Sequence, residues 1–342
     1  MTDGSTTLPD SRYIRQAIFE AIGPEGQRRI ENGSAAVVGC GALGSNVANN
    51  LARSGVGRLR IIDRDFVELD NLQRQVLFDE DHVRRRMPKA AAAAERLRRI
   101  NSSVSIEAEV AEISPRNIES LLDGFDVVLD GTDNVEARLL LNDACVKARR
   151  PYVFGGAVGS TGMTMAIVPG ATPCFRCLMA EVPEPGTAPT AATAGILHST
   201  TAVVAALQCT WALRLLAGTF EPGDELVTVD VWDHEFTRMR VPRRPDCPAC
   251  GEGRFEFLAA QPPARAVAVA GTNSVRLPSR GEVSVARLAE AWRGRGEVVV
   301  NDWLVSLAVG GREVIVFRDG RAVVKGTDDV VEAERLAARY VP

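Results

Sequence analysis

The chain has 342 residues, 46% of them hydrophobic and 25% charged, with a net charge of -4. That balance specifies a soluble globular protein of two ordinary domains, or one large domain with an appendage, and excludes a disordered chain, a collagen and a general nucleic-acid binder. Seven cysteines are too few for a disulfide scaffold at this length, and residues 1–10 lack the charged-then-apolar run of a signal peptide, so a reducing, cytoplasmic setting is expected.

The first expected element is an amphipathic arm. Ile14, Ile18 and Ile22, with Tyr13 and Phe19, recur at helical spacing, and Gly23-Pro24 divides the run into two short helices. From Ser34 the pattern changes. The apolar run Ala35-Ala36-Val37-Val38, a glycine turn, a helical stretch to about Ser54 and a strand over residues 58–63 make a β-α-β unit. A helix over 88–100, a strand over 105–110, a helix over 114–122 and a strand over 126–129 continue the alternation, which predicts an α/β fold with a Rossmann-like, mostly parallel sheet. A further helix follows Asp133 and Asn134 as far as Arg149, and Pro151 stops it before a strand over 152–155. Residues 162–169 and 226–231 read as strands of an antiparallel extension, and 181–194, rich in Pro, Thr and Ala, as a crossing loop.

Residues 196–213 run without Asp, Glu, Lys or Arg, long enough to invite a membrane span. His198, Ser199, Thr200, Thr201, Gln208 and Thr210 interrupt the stretch, so a helix buried in a core or dimer interface is expected and no membrane partner. Gln261-Pro262-Pro263 then sets off a small C-terminal α+β domain. It offers helices over 285–292 and 330–340, strands over 298–300 and 314–317, and a hairpin turn at Asp319-Gly320. The expected organisation is an arm over 1–33, a main domain over 34–260 and a tail over 261–342.

Gly39-Cys40-Gly41-Ala42-Leu43-Gly44 follows a strand and opens a helix, the setting in which glycines admit a phosphate to unpaired helix N–H groups. Asp63 ends the next strand, where a carboxylate can accept both ribose hydroxyls. A tight turn without ligand is the alternative, and the fingerprint alone points first to NAD and an oxidoreductase. The polar cluster Asp70, Asn71, Leu72, Gln73, Arg74 and Gln75 argues for a different nucleotide. Only three of the 40 basic residues are lysines, and Lys89 directly follows Pro88, where a compact ammonium suits phosphate; the alternative is a solvated lysine. Asp130-Gly131-Thr132-Asp133-Asn134 ends a strand, so Asp133 is a candidate magnesium ligand against a triphosphate and Asn134 a candidate N-cap. Cys174 and Cys177 with Cys247 and Cys250 form two CxxC knuckles, the donor set of a closed structural zinc site. Cys40, Cys145 and Cys209 read as packing residues.

Together, Arg12-Tyr13-Ile14-Arg15-Gln16, the GCGALG turn, Asn71-Leu72-Gln73-Arg74-Gln75, Pro88-Lys89, the DGTDN turn, the paired knuckles and Thr193-Ala194-Gly195 resemble the MoeB/ThiF/HesA adenylyltransferases, bacterial relatives of ubiquitin-activating enzymes. The resemblance covers about residues 11–251. It implies a homodimer that binds ATP and magnesium and adenylates the C-terminal glycine of a ubiquitin-like β-grasp sulfur carrier, releasing pyrophosphate. By motif, Arg74 and Lys89 resemble the phosphate-binding pair, Asp133 the magnesium ligand, Asp63 the ribose ligand and Arg15 the arginine that reaches the triphosphate from the partner subunit. The nucleotide site then comprises Gly39, Gly41, Ala42, Leu43, Gly44, Asp63, Asp65, Asn71, Arg74, Lys89, Asp133 and Asn134. Two departures stand out. Arg84-Arg85-Arg86-Met87 replaces a shorter, usually glycine-containing run before Pro-Lys. Ala191 replaces a cysteine that many relatives carry two residues before Thr-Ala-Gly, so activity is expected to stop at the acyl-adenylate unless a separate sulfur donor completes transfer. A catalytically silent carrier-binding module is the competing reading.

Overall fold

A computed structural model describes residues 11–184, 190–260, 265–269 and 271–341. The Gln261-Pro262-Pro263 boundary and residues 185–189 of the expected crossing loop lie outside these. The chain divides into two compact units. One takes residues 1–65, 69–79 and 89–260; the other takes 66–68, 80–88 and 261–342.

In the first unit, β1 (Ser34–Val38), β2 (Arg58–Ile62), β3 (Ser105–Glu109), β4 (Val127–Asp130), β5 (Tyr152–Val158), β6 (Thr161–Ile167), β7 (Glu225–Asp230) and β8 (Glu235–Arg240) form one sheet. The order is β3-β2-β1-β4-β5-β6-β7-β8. The pairings from β3 to β5 are parallel and those from β5 to β8 antiparallel, which gives the expected parallel core and antiparallel extension. Every residue of β1 and β4 is buried, so these strands read as apolar runs without alternation, as strands covered on both faces do. β8 has no such signal. All six of its residues are exposed, and charges at Glu235, Arg238 and Arg240 are what an edge strand carries.

The helix expected over 114–122 forms only as Ile118–Leu122. Asn117 Oδ1 accepts from the N–H and hydroxyl of Ser114 at 2.8 and 3.0 Å, and its Nδ2 donates to Glu112 O at 2.8 Å, so side-chain bonds hold a turn in place of the first helical turn. The arm is pinned to the helix Ala42–Ser54. Gln16 Nε2 donates to Gln27 Oε1 at 2.6 Å and to Ser54 O at 3.0 Å. His198–Ala217 is the one helix among the described residues long and apolar enough to cross a membrane. It instead buries Thr200, Thr201, Val204, Ala205, Gln208, Cys209, Ala212 and Ala217, against the helix Ala42–Ser54 and strands β5 and β6.

In the second unit, β9 (Val267–Val269), β10 (Ser274–Leu277), β11 (Glu297–Val300), β12 (Leu304–Val309), β13 (Arg312–Phe317) and β14 (Ala322–Lys325) form an antiparallel sheet ordered β11-β12-β13-β14-β10-β9. Helices Val285–Trp292 and Val330–Tyr340 share one core with Val305, Leu307, Val314, Val316 and Val324, and Trp292 Nε1 donates to Tyr340 O at 2.9 Å. Strand alternation sends Glu313, Phe317 and Lys325 to the opposite face. There the ring of Phe317 lies 6.4 Å from that of Phe66, and Glu313 pairs with Arg86 at 2.8 Å.

Candidate nucleotide-binding site and cysteine cluster

Val38 is the register partner of both Ile62 and Asp130, so β1, β2 and β4 end level, and Gly39, Asp63 and Gly131 emerge together at the C-terminal ends of these strands. The chain runs from β1 to β2 in one direction along the sheet and from β4 to β5 in the other, so the strand order reverses between β1 and β4, the crevice in which open α/β sheets bind ligands. Three glycines make the crevice. A Cβ on Gly39 or Gly44 would overlap the backbone of Gly131 or of Gly39, and one on Gly131 would overlap Gly39 O. Gly41 differs. A Cβ there meets nothing nearer than Gln75 Nε2 at 4.0 Å, so the fold does not require this glycine. Beside it, Gln75 Oε1 is buried without a hydrogen-bond partner among the described residues. Open space and an orphaned polar atom at the start of a helix fit a bound nucleotide.

Asp63 is buried, with Oδ2 accepting from Cys40 N at 2.6 Å and Oδ1 from Asp65 N at 2.7 Å. Burial raises its pKa, with Asp65 adding to the rise and Lys89 opposing it. A carboxylate has about four lone-pair positions, so two remain for ribose hydroxyls. Lys89 is itself buried, and its Nζ lies 3.9 Å from Asp65 Oδ2. The structure thus brings Asp63, Asp65 and Lys89 together beside the glycine turn. Asn71 is buried and its carbonyl accepts from Arg74 N and Gln75 N at 3.1 and 2.9 Å; the Arg74 guanidinium donates to Asp70 O at 2.7 Å. Asp133 is exposed. Asn134 caps the helix Val135–Lys147 through Oδ1, which accepts from Ala137 N at 2.9 Å. Arg15 is exposed on the short helix Ile14–Ala17.

The Sγ atoms of Cys174, Cys177, Cys247 and Cys250 all lie within 4.8 Å of one another. Cys174 and Cys247 are 3.6 Å apart, and Cys177 and Cys250 3.4 Å. Zinc–sulfur bonds of about 2.3 Å space a tetrahedron's sulfurs at about 3.8 Å, so the four thiols fit a zinc ion. Cys40, Cys145 and Cys209 are buried, and burial raises the pKa of each.

The ThiF family profile matches residues 13–249. The chain belongs to the ThiF family. It is 40% identical over 335 residues to the sulfur carrier protein ThiS adenylyltransferase of Bacillus subtilis, covering 96% of this chain and 99% of that one. It is 42% identical over 248 residues to the SAMP-activating enzyme E1 of Haloferax volcanii, 72% of this chain and 91% of that one. Among solved structures, E. coli MccB crystallised with ATP is similar at a TM-score of 0.60 and 25% identity, over 72% of this chain and 75% of that one. The family and its adenylyltransferase relatives make the chain a nucleotidyltransferase.

Two features of this ThiF-family domain were not foreseen from sequence. Asp130 is fully buried; its Oδ1 accepts from the N–H and hydroxyl of Thr132 at 2.8 and 2.7 Å, and its Oδ2 from Tyr152 Oη at 3.0 Å and Arg138 Nε at 3.2 Å. Gln208, a polar interruption in the apolar helix, donates from Nε2 to Asp130 O at 2.9 Å and Val153 O at 3.2 Å. This network holds the turn that presents Asp133. The second feature is Arg64. Burial acts to lower its pKa, but the Asp65, Glu112 and Asp133 carboxylates raise it, so this guanidinium gathers acids that follow three different strands. An arginine next to Asp63 was the available signal.

Proposed function

We propose that the chain is an ATP-dependent adenylyltransferase that activates the C-terminal glycine carboxylate of a ubiquitin-like sulfur-carrier protein as an acyl-adenylate, releasing pyrophosphate. The observation that carries this reading is the open side of Gly41 beside the orphaned Gln75 Oε1, next to buried Asp63 and Lys89. Asp63 accepts the ribose hydroxyls, and the glycine turn with the first N–H groups of the following helix receives phosphate oxygens. The carrier's carboxylate is itself the nucleophile and displaces pyrophosphate from the α-phosphorus, so no protein base is required. Arg74 and Lys89 offset the charge that spreads over the phosphoryl oxygens, and removing one such contact costs about 2.7–4 kcal/mol of barrier. Magnesium held by Asp133 would supply further charge neutralisation.

Arg15 serves the partner subunit of a homodimer, for which the half-buried side of the helix His198–Ala217, with Val203, Leu207 and Trp211, is the candidate surface. A zinc ion held by the four cysteines is structural, since no ligand position remains for a catalytic water. With Ala191 in place of a relay cysteine, a separate sulfur donor completes the transfer, in the cytoplasm. Carrier-dependent exchange of pyrophosphate into ATP tests the reading. We expect exchange with a β-grasp carrier from the same genome, reduced about 100- to 1,000-fold in Arg74→Ala and in Lys89→Ala. Absence of exchange with every such carrier would overturn it.

A further inference from the structure

The family profile ends at residue 249, before the tail. Yet the tail's unit includes two upstream segments, residues 66–68 and 80–88; Arg74 lies between them in sequence and Lys89 directly follows the second. The chain enters the first segment directly after Asp65 and leaves the second directly before Lys89. The two segments pair with each other. Val67 N donates to Met87 O at 2.9 Å, and Phe66 and Pro88 form an antiparallel bridge. One step further along the same ladder, Lys89 N donates to Asp65 O at 2.8 Å.

Tail side chains grip this ladder at several points. Lys325 pairs with Glu68 and sets its Nζ 4.8 Å from the centre of the Phe66 ring. Glu313, the register partner of Lys325, pairs with Arg86. Asn301 Nδ2 donates to the carbonyls of Arg85 and Arg86, both at 3.1 Å. Arg86 has φ of +50°, a strained conformation for a residue with a side chain, and such strain persists only where surrounding bonds over-determine it. The Arg84–Met87 run that departs from the family pattern is therefore the part of the segment the tail holds.

We propose that Lys325, Glu313 and Asn301 are positioning residues for the nucleotide site: by clamping the Phe66–Pro88 ladder they set the placement of Asp65 and Lys89 for the phosphates. This rests on the assignment of Lys89 to phosphate given above. ATP affinity measured on full-length protein tests it without requiring turnover. Lys325→Met keeps the stem over Phe66 and removes the charge, and is expected to weaken ATP binding about fivefold. Asn301→Ala should act in the same direction, and Lys325→Arg should restore binding. In a Lys89→Ala background the Lys325→Met effect should shrink below about twofold, because the two changes act through one group. A Lys325→Met effect of equal size in both backgrounds, or wild-type ATP affinity in both Lys325→Met and Asn301→Ala, would overturn the proposal. If Lys89→Ala alone leaves ATP affinity unchanged, the assignment of Lys89 fails first, and that result is separate from any tail variant.

Discussion

Gly41 and Gly44 lie three residues apart and answer to different constraints. A side chain on Gly44 would occupy the position of Gly39 O, whereas one on Gly41 enters open space. Gly44→Ala is therefore expected to destabilise the protein by about 1–3 kcal/mol or more, as overpacking does. Gly41→Ala should leave the melting temperature unchanged while weakening ATP binding, and paired thermal melts and ATP titrations separate the two. Asp143 gives a pH prediction. It is buried, accepts from Phe257 N at 2.9 Å, and burial raises its pKa from 3.8 to about 6. A native group that holds its proton to a higher pH than the unfolded chain favours folding at low pH and loses that contribution as pH rises. Asp143→Asn should thus be more stable than wild type at pH 7.5, with the gap closing as pH falls through about 6 towards 4. A constant gap across that range in melting experiments would contradict the assignment.

At the scale of elements, two polar devices fix the turn after β4, and they differ in worth. The Asn134 cap satisfies one helix N–H, so Asn134→Ala should cost about 1 kcal/mol. The Arg138 guanidinium faces the fully buried Asp130 carboxylate at 3.2 Å, so Arg138→Leu leaves a buried charge without its cation and should cost about 3–5 kcal/mol in denaturant unfolding. Elements with a buried apolar stripe were legible in the sequence: β1 and the helix after it, the paired knuckles, and the terminal helix Val330–Tyr340, whose ends coincide with those expected. Those lacking such a stripe were not. β8 is exposed along its whole length, and Ser114 and Asn117 replace a helical turn with side-chain bonds that no periodicity reports. Glycine spacing pointed to the crevice at the ends of β1 and β4, but which of its glycines the fold itself needs depends on Gly131, contributed by a distant strand.

At the scale of the molecule, the first unit is joined across its sequence by the cysteine cluster, since Cys174 and Cys247 are 73 residues apart. Chelation of the zinc proposed there should lower the melting temperature steeply, while pyrophosphate exchange at low temperature persists because none of the four clustered cysteines is among the residues proposed to hold ATP. Equal loss of exchange and stability would assign the metal a part in the chemistry. The tail was legible as a small α+β body, but its use of residues 66–68 and 80–88 was not, because no local pattern links segments so far apart. Glu68 is made 257 residues before Lys325. At about 5–20 residues per second, a ribosome needs about 13–51 s to cover that interval. During synthesis Phe66 therefore waits without its native neighbours until Phe317 and Lys325 have been added.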